Sequence, residues 1–175
     1  TEARKVDPNH LNLGLRYAYV GRNDLLFSGC RHLDVFSING YRTDMRPDIR
    51  LVGEKTGLPV IIGEFHFGAL DRGLPATGIK GVTDQVERGK AFRYYLETAA
   101  SEPWSVGAHW FMLNDQSILG RTDGENYQIG FVDVCNRPYE EFIGEVQHAH
   151  RNLYEVAAGK KAPCSTPPNE IPCIF

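Results

Sequence analysis

Several signals are missing from this 175-residue sequence, and each absence removes a class of function. No apolar run approaches the ~20 residues that a membrane-crossing helix needs. No Lys/Arg cluster stands out and the formal net charge is −3, so there is no electrostatic footprint for nucleic acid. The four cysteines (Cys30, Cys135, Cys164 and Cys173) include no C-x-x-C pair, which leaves neither a zinc knuckle nor a thioredoxin motif. Cys164 and Cys173 lie in a Pro-rich tail, PCSTPPNEIPCIF, either as free thiols or as a tail disulfide in a secreted protein. No G-x-G-x-x-G follows the first strand-like run and no G-x-x-x-x-G-K-[ST] occurs, so dinucleotide and P-loop sites are not indicated. No cofactor is signalled. The chain opens on TEARKVDPNH, without Met or a signal-peptide pattern. It reads as a processed or truncated end, so that missing pattern says little about compartment.

What is present is ordinary globular material. Apolar residues make up 42% and charged residues 23%, and the length suits one domain with a sizeable core. Strand-like runs fall at 10–18 (HLNLGLRYA), 33–41 (LDVFSINGY), 59–67 (PVIIGEFHF) and 105–113 (SVGAHWFML), with a short strand-like IGFVDV after a long polar loop. Residues 21–32 read as a short helix or turns, and a helical segment within 46–57 ends at Gly57. TDQVERGKAFRYYLETAASEP reads as a helix, with Asp84 and Glu87 at capping-box spacing. A last helix spans about Pro138 to Ala158, with Pro138 suited to its first turn. Strands alternating with helices predict an α/β fold with a parallel sheet. Four βα units fill only part of a (β/α)8 barrel, which takes ~250 residues. They read as half of one, or as an open doubly wound sheet.

In parallel α/β folds, chemistry gathers at the C-terminal ends of the strands. There the sequence places Arg16 and Tyr17, then Asn39, Gly40 and Tyr41, then Glu64 and His66, then His109 and Trp110 with Asn114, Asp115 and Gln116. Glu64 is a lone carboxylate closing the buried-looking run PVIIGEF, and a buried carboxylate is costly unless it is paired. Side-chain alternation puts Glu64 and His66 on one face and Phe65 and Phe67 on the other. Carboxylate, tyrosine, tryptophan and amide groups together suit a sugar. Indole faces stack on pyranose C–H faces, polar groups bond the hydroxyls, and glycoside hydrolysis needs two carboxyl groups.

PVIIGEFHFGALDRGL, VGAHWFMLNDQSILGR, DGENYQIGFVDV and DPNHLNLGLRYA together resemble the C-terminal half of a clan-A glycoside hydrolase barrel, nearest to the family 50 β-agarases. The resemblance covers roughly residues 7–155. It implies that these are the fifth to eighth barrel strands, in residues 1–158, followed by a Pro/Cys tail at 159–175. It implies that Glu64 is the nucleophile, Trp110 floors the sugar subsite and Tyr41 flanks the nucleophile. It also implies an extracellular or periplasmic setting. The Asn-Glu pair that carries the acid/base in such enzymes belongs to the fourth strand. The one Asn-Glu here, Asn169-Glu170, lies in the tail and out of context. The acid/base is therefore expected from elsewhere, through a companion N-terminal half-barrel or a homodimer.

His66, Asn39, Arg16, Asp115, Gln116, Glu125 and Asn126 are further candidates for contact with an oligo- or polysaccharide. Arg16 is otherwise a counter-charge for Glu64, and D-G-E-N at 123–126 otherwise a turn. Three other readings stand beside this one. A metal-dependent hydrolase would draw ligands from Glu64, His66, His109 and Asp115. Asp115 would be the second carboxylate of a self-sufficient site. An inactive half-barrel would bind saccharide or pair with itself.

Overall fold

The computed structural model describes residues 2–21 and 24–174. A short helix α1 (Glu2–Val6) precedes strand β1 (Arg16–Tyr17), and two single 3-10 turns lead to β2 (Phe36–Asn39). Helix α2 (Arg46–Thr56), β3 (Val60–Phe65), β4 (Gly81–Val82), α3 (Gln85–Ala100), β5 (Ser105–Trp110), α4 (Glu140–Ala157) and β6 (Glu170–Ile171) follow. Four strands form one parallel sheet in the order β1-β2-β3-β5, while β4 and β6 pair apart from it, antiparallel. This is the expected α/β architecture with a parallel sheet.

Local chemistry explains the element ends. Helix α2 carries Pro47 in its first turn and stops where Gly57 takes a left-handed φ of 70°, its N–H bonding Gly53 O at 2.8 Å. Pro59 then starts the apolar run of β3. Helix α3 begins at Asp84, whose carboxylate accepts the Glu87 N–H at 2.9 Å. The reciprocal half of a capping box is not made. The Glu87 carboxylate instead bonds Lys90 at 2.6 Å and the Asn169 N–H at 3.1 Å.

Three expectations are corrected. The first strand shrinks to two residues, and the flanking Leu11 and Leu15 lie open at the sheet edge. IGFVDV forms no strand; its groups bond residues 113 and 115 and meet Asn114 and Pro138 only as single bridges. Pro138 precedes the cap of α4 rather than filling its first turn. Tyr139 caps that helix in extended backbone because its N–H bonds Phe131 O at 3.2 Å.

The core lies between the sheet and α2, α3 and α4. Phe65 stacks on Tyr95 with centroids 4.1 Å apart, and Phe67 and Phe92 join them on the helix side of β3. Arg88 of α3 is fully buried among them. Its guanidinium donates to Phe67 O at 2.9 Å, to Gly130 O at 2.8 Å and to the Gln85 carboxamide, and it lies 4.3 Å from the Phe142 ring. It thus ties the end of β3 and the 127–131 segment to one helix. Burial pulls its pKa down to about 10, which leaves it charged at neutral pH.

Candidate active site

Glu64 sits next to last in β3, where the strand leaves the core, and its side chain is 16% exposed. Three neighbours from the two preceding strands converge on it. Arg16 Nη1 reaches Oε1 at 2.6 Å, while Asn39 Nδ2 and the Tyr41 hydroxyl donate to Oε2 at 2.9 and 3.0 Å. Gly40 N–H also bonds the Glu64 carbonyl at 2.7 Å, which holds the β2 and β3 ends in register. Burial first, then the Glu64 charge, pushes the Tyr41 phenol far above its usual range, so it stays a donor.

His66 lies two residues on and is buried. Its Nε2 accepts the Ile79 N–H at 3.0 Å, and its ring meets the Tyr41 ring edge-on with centroids 4.9 Å apart. Burial, with the Arg88 charge behind it, pulls its pKa down to about 3. The neutral ring must then carry its proton on Nδ1. His66 thus supports the site as well as lining it.

These residues border a cavity of about 680 Å³. Three ion pairs line its wall: Arg16–Glu64, Arg42–Asp48 at 2.8 Å and Arg121–Glu125 at 3.4 Å. Three arginines face three carboxylates, so the wall is balanced in charge. Phe111 adds an apolar face, over which the Arg121 guanidinium lies 5.5 Å from the ring centroid. Gln116 does not border the cavity but donates to Glu125 at 2.8 Å and accepts the Tyr127 N–H at 2.7 Å. It holds Glu125 in place.

Of the sequence candidates, Arg16, Asn39, Tyr41, Glu64, His66 and Glu125 come together here. Trp110 does not. It pairs in register with Phe65, and its ring packs on Phe65, Phe92, Phe131 and Phe142 while Nε1 bonds Ile129 O at 2.9 Å. Partners in register on parallel strands share a face, so Trp110 joins Phe65 under the helices. Phe111, one residue on, lines the cavity instead; it was missed, and strand parity with Trp110 is the signal that could have found it. Asp115 is buried elsewhere, accepting the Gly130 N–H at 2.7 Å and the Tyr139 hydroxyl, and burial raises its pKa. It borders a separate cavity with Arg72 and Arg137, so it is not the partner of Glu64. Asn126 is half-buried outside the site cavity. Arg121 and Ile79 were missed; both arrive on long loops without local signature.

The metal-hydrolase arrangement is not assembled. His66 is tied to Ile79, His109 is exposed on β5, Asp115 lies in the other cavity, and among the described residues no three His, Cys, Asp or Glu converge.

No known family profile matches the chain. It is 38% identical over 157 residues to beta-agarase B of Vibrio sp. (strain JT0107), covering 87% of this chain and 16% of that protein. It is 42% identical over 154 residues to beta-agarase A of the same organism, covering 84% of this chain and 16% of that one. Among solved structures, the agarase AgWH50C matches with a TM-score of 0.83 and 39% identity, over 89% of this chain and 22% of the other. An exo-beta-agarase matches with a TM-score of 0.83 and 34% identity, over 89% and 21%. A beta-galacturonidase with 19% identity and a TM-score of 0.59 shares the fold alone. The chain spans only 16% of the length of the curated relatives it matches. By sequence and by fold, it is agarase-like over most of its own length.

Proposed function

We propose that this chain carries the nucleophile half of a retaining β-agarase-like glycosidase acting on a galactose-containing polysaccharide such as agarose. The observation that carries the reading is Glu64 at a parallel strand's C-terminal end, bound by Arg16, Asn39 and Tyr41 inside a charge-balanced cavity. A neutral wall rich in fixed donors and acceptors suits an uncharged, hydroxyl-covered ligand. Glu64 attacks the anomeric carbon, the glycosidic C–O bond breaks, and the leaving oxygen takes a proton from a second carboxyl group. Water then cleaves the glycosyl ester with retention. Arg16, Asn39 and Tyr41 are all donors to an ionised carboxylate, so they orient Glu64 before attack and reclaim its oxygens when the ester breaks.

The second carboxyl group comes from outside this segment. The other carboxylates on the cavity wall are engaged, Asp48 with Arg42 and Glu125 with Gln116 and Arg121. The four strands are read as the fifth to eighth of a (β/α)8 barrel, in residues 1–158. β1 and β5 are the sheet's two outer strands, and unpaired parallel edges invite a partner. A companion half-barrel, or a second copy of this chain, would supply both the missing strands and the acid/base. The second reading, a saccharide-binding but inactive half-barrel, is favoured by that same engagement of Asp48 and Glu125.

A 2,4-dinitrophenyl 2-deoxy-2-fluoro-β-galactoside separates the two readings, because its leaving group needs no proton. The expected result is a stable ester on the peptide holding Glu64, absent in Glu64→Gln. Labelling of another residue, or of the Glu64→Gln variant, rules out the nucleophile assignment. Saccharide binding without any ester supports the inactive reading.

A further inference from the structure

Residues 159–174 do not hang free. Glu170 and Ile171 of β6 pair with Val82 and Gly81 of β4, in the long loop that follows β3. Further along, the Ile174 carbonyl accepts the Gly78 N–H at 3.0 Å, and the Ile174 N–H bonds the Thr77 hydroxyl at 3.1 Å. Gly78 is the neighbour of Ile79, whose N–H is held by His66. It has a φ of 70°, and a Cβ there would fall 2.6 Å from His66 Nε2, so the loop rests directly on that ring. The tail therefore holds the loop that holds His66.

One tail side chain spans two loops. The Glu170 carboxylate bonds both the Thr43 hydroxyl and the Lys80 ammonium, and Lys80 Nζ lies 3.2 Å from Thr43 Oγ1. Thr43 stands two residues after Tyr41, in the loop leaving β2. Lys80 stands one residue after Ile79, in the loop leaving β3. Lys80 is 17% exposed and Glu170 28%, so water screens their pair less than an open surface pair.

We propose that Glu170 is a positioning residue. By fastening the β2 and β3 loops together, it sets the contact of Tyr41 with His66 and hence the Tyr41–Glu64 hydrogen bond. Both loops end against the nucleophile: Tyr41 bonds it, and His66, braced by Ile79, backs the Tyr41 ring. A small shift of a reacting group is enough to slow chemistry. The inference deepens the glycosidase reading and rests on it for its kinetic consequence, though not for its structural one.

The test uses the whole 175-residue chain with Glu170→Gln, Lys80→Glu and the exchanged pair Lys80→Glu/Glu170→Lys. Labelling by the fluoro-galactoside is resolved into affinity and maximal rate. Glu170→Gln is expected to lower the maximal rate about tenfold with little change in affinity or melting temperature, and the exchanged pair to recover most of it. Amide exchange supplies a readout independent of the nucleophile. Residues 40–43 and Ile79 should exchange faster in Glu170→Gln, while the interior of α3 should not. Unchanged exchange at those amides overturns the proposal whatever the labelling shows. So does a fall in rate that merely follows melting temperature and is not recovered by the exchanged pair. If Glu64→Gln still labels while the loop amides respond to Glu170, the nucleophile reading has failed and the clamp stands.

Discussion

Tyr41 and Glu64 leave different strands and meet through a 3.0 Å hydrogen bond from phenol to carboxylate. The phenol is held by the edge contact with His66, and its raised pKa keeps it a donor through the neutral range. A hydrogen bond to a charged group is worth ~1.5–3 kcal/mol. Tyr41→Phe should therefore cut the maximal rate of fluoro-galactoside labelling about 10- to 100-fold while leaving the fold intact. Stopped-flow release of dinitrophenolate checks this. An unchanged rate would mean that Tyr41 serves packing alone.

His66 makes the fold sensitive to acid. The unfolded chain takes up its proton near pH 6.5, but the folded chain only near pH 3, because burial and Arg88 oppose the charge. The neutral ring's contribution is thus fully present above pH 6.5 and drains away as pH falls toward 3. His66→Gln keeps an acceptor for the Ile79 N–H and removes the titration. Urea unfolding of both proteins across that window should show the wild type losing stability faster, by at most about 1.4 kcal/mol per pH unit. The raised carboxyl of Asp115 acts in the opposite sense in both proteins, so it cancels in the difference. Parallel pH profiles would show that His66 titrates normally.

Trp110 belongs to the layer between sheet and helices, so its loss should be felt as stability rather than as sugar affinity. Trp110→Ala should destabilise the chain by ~3–5 kcal/mol. Trp110→Phe keeps the aromatic contacts, gives up the bond to Ile129 O, and should cost about 1 kcal/mol. Its affinity for galactoside, by calorimetry, should stay within about twofold of wild type. A tenfold weaker affinity at an unchanged melting temperature would place the indole against the sugar instead.

Legibility in the sequence followed how local the information was. Helices α2, α3 and α4 and strand β3 were readable because caps, breakers and apolar spacing sit within a few residues of their ends. The group around Glu64 was readable because strand ends collect in parallel folds. Trp110 was read into the place that Phe111 takes because the choice depends on the β3–β5 register, which shifts at a bulge between Ile62 and Phe65. Asp115 and Gln116 looked like polar loop residues. Only long-range packing turns one toward Gly130 and Tyr139 and the other toward Glu125. IGFVDV is apolar enough for a strand, yet its partners are loop groups, which no periodicity encodes.

Gly63 separates stability from chemistry at this site. A Cβ there would sit 2.7 Å from Arg16 Cδ and 2.8 Å from Ser37 Oγ, and both belong to side chains rather than to backbone. Gly63→Ala should therefore push Arg16 away from Glu64 and turn the buried Ser37 hydroxyl aside, with β3 itself left in place. The Arg16 side chain is 56% exposed, and a pair so open to water contributes only ~0–1 kcal/mol to folding. Melting should scarcely change, while Glu64 loses the cation that orients it and labelling slows. Arg16→Met should show the same slow labelling. The double variant should be no slower than Arg16→Met alone, because both changes break one contact. If the two effects instead multiply, the alanine methyl acts on Glu64 itself, and the glycine is needed for the nucleophile's own backbone rather than for its arginine.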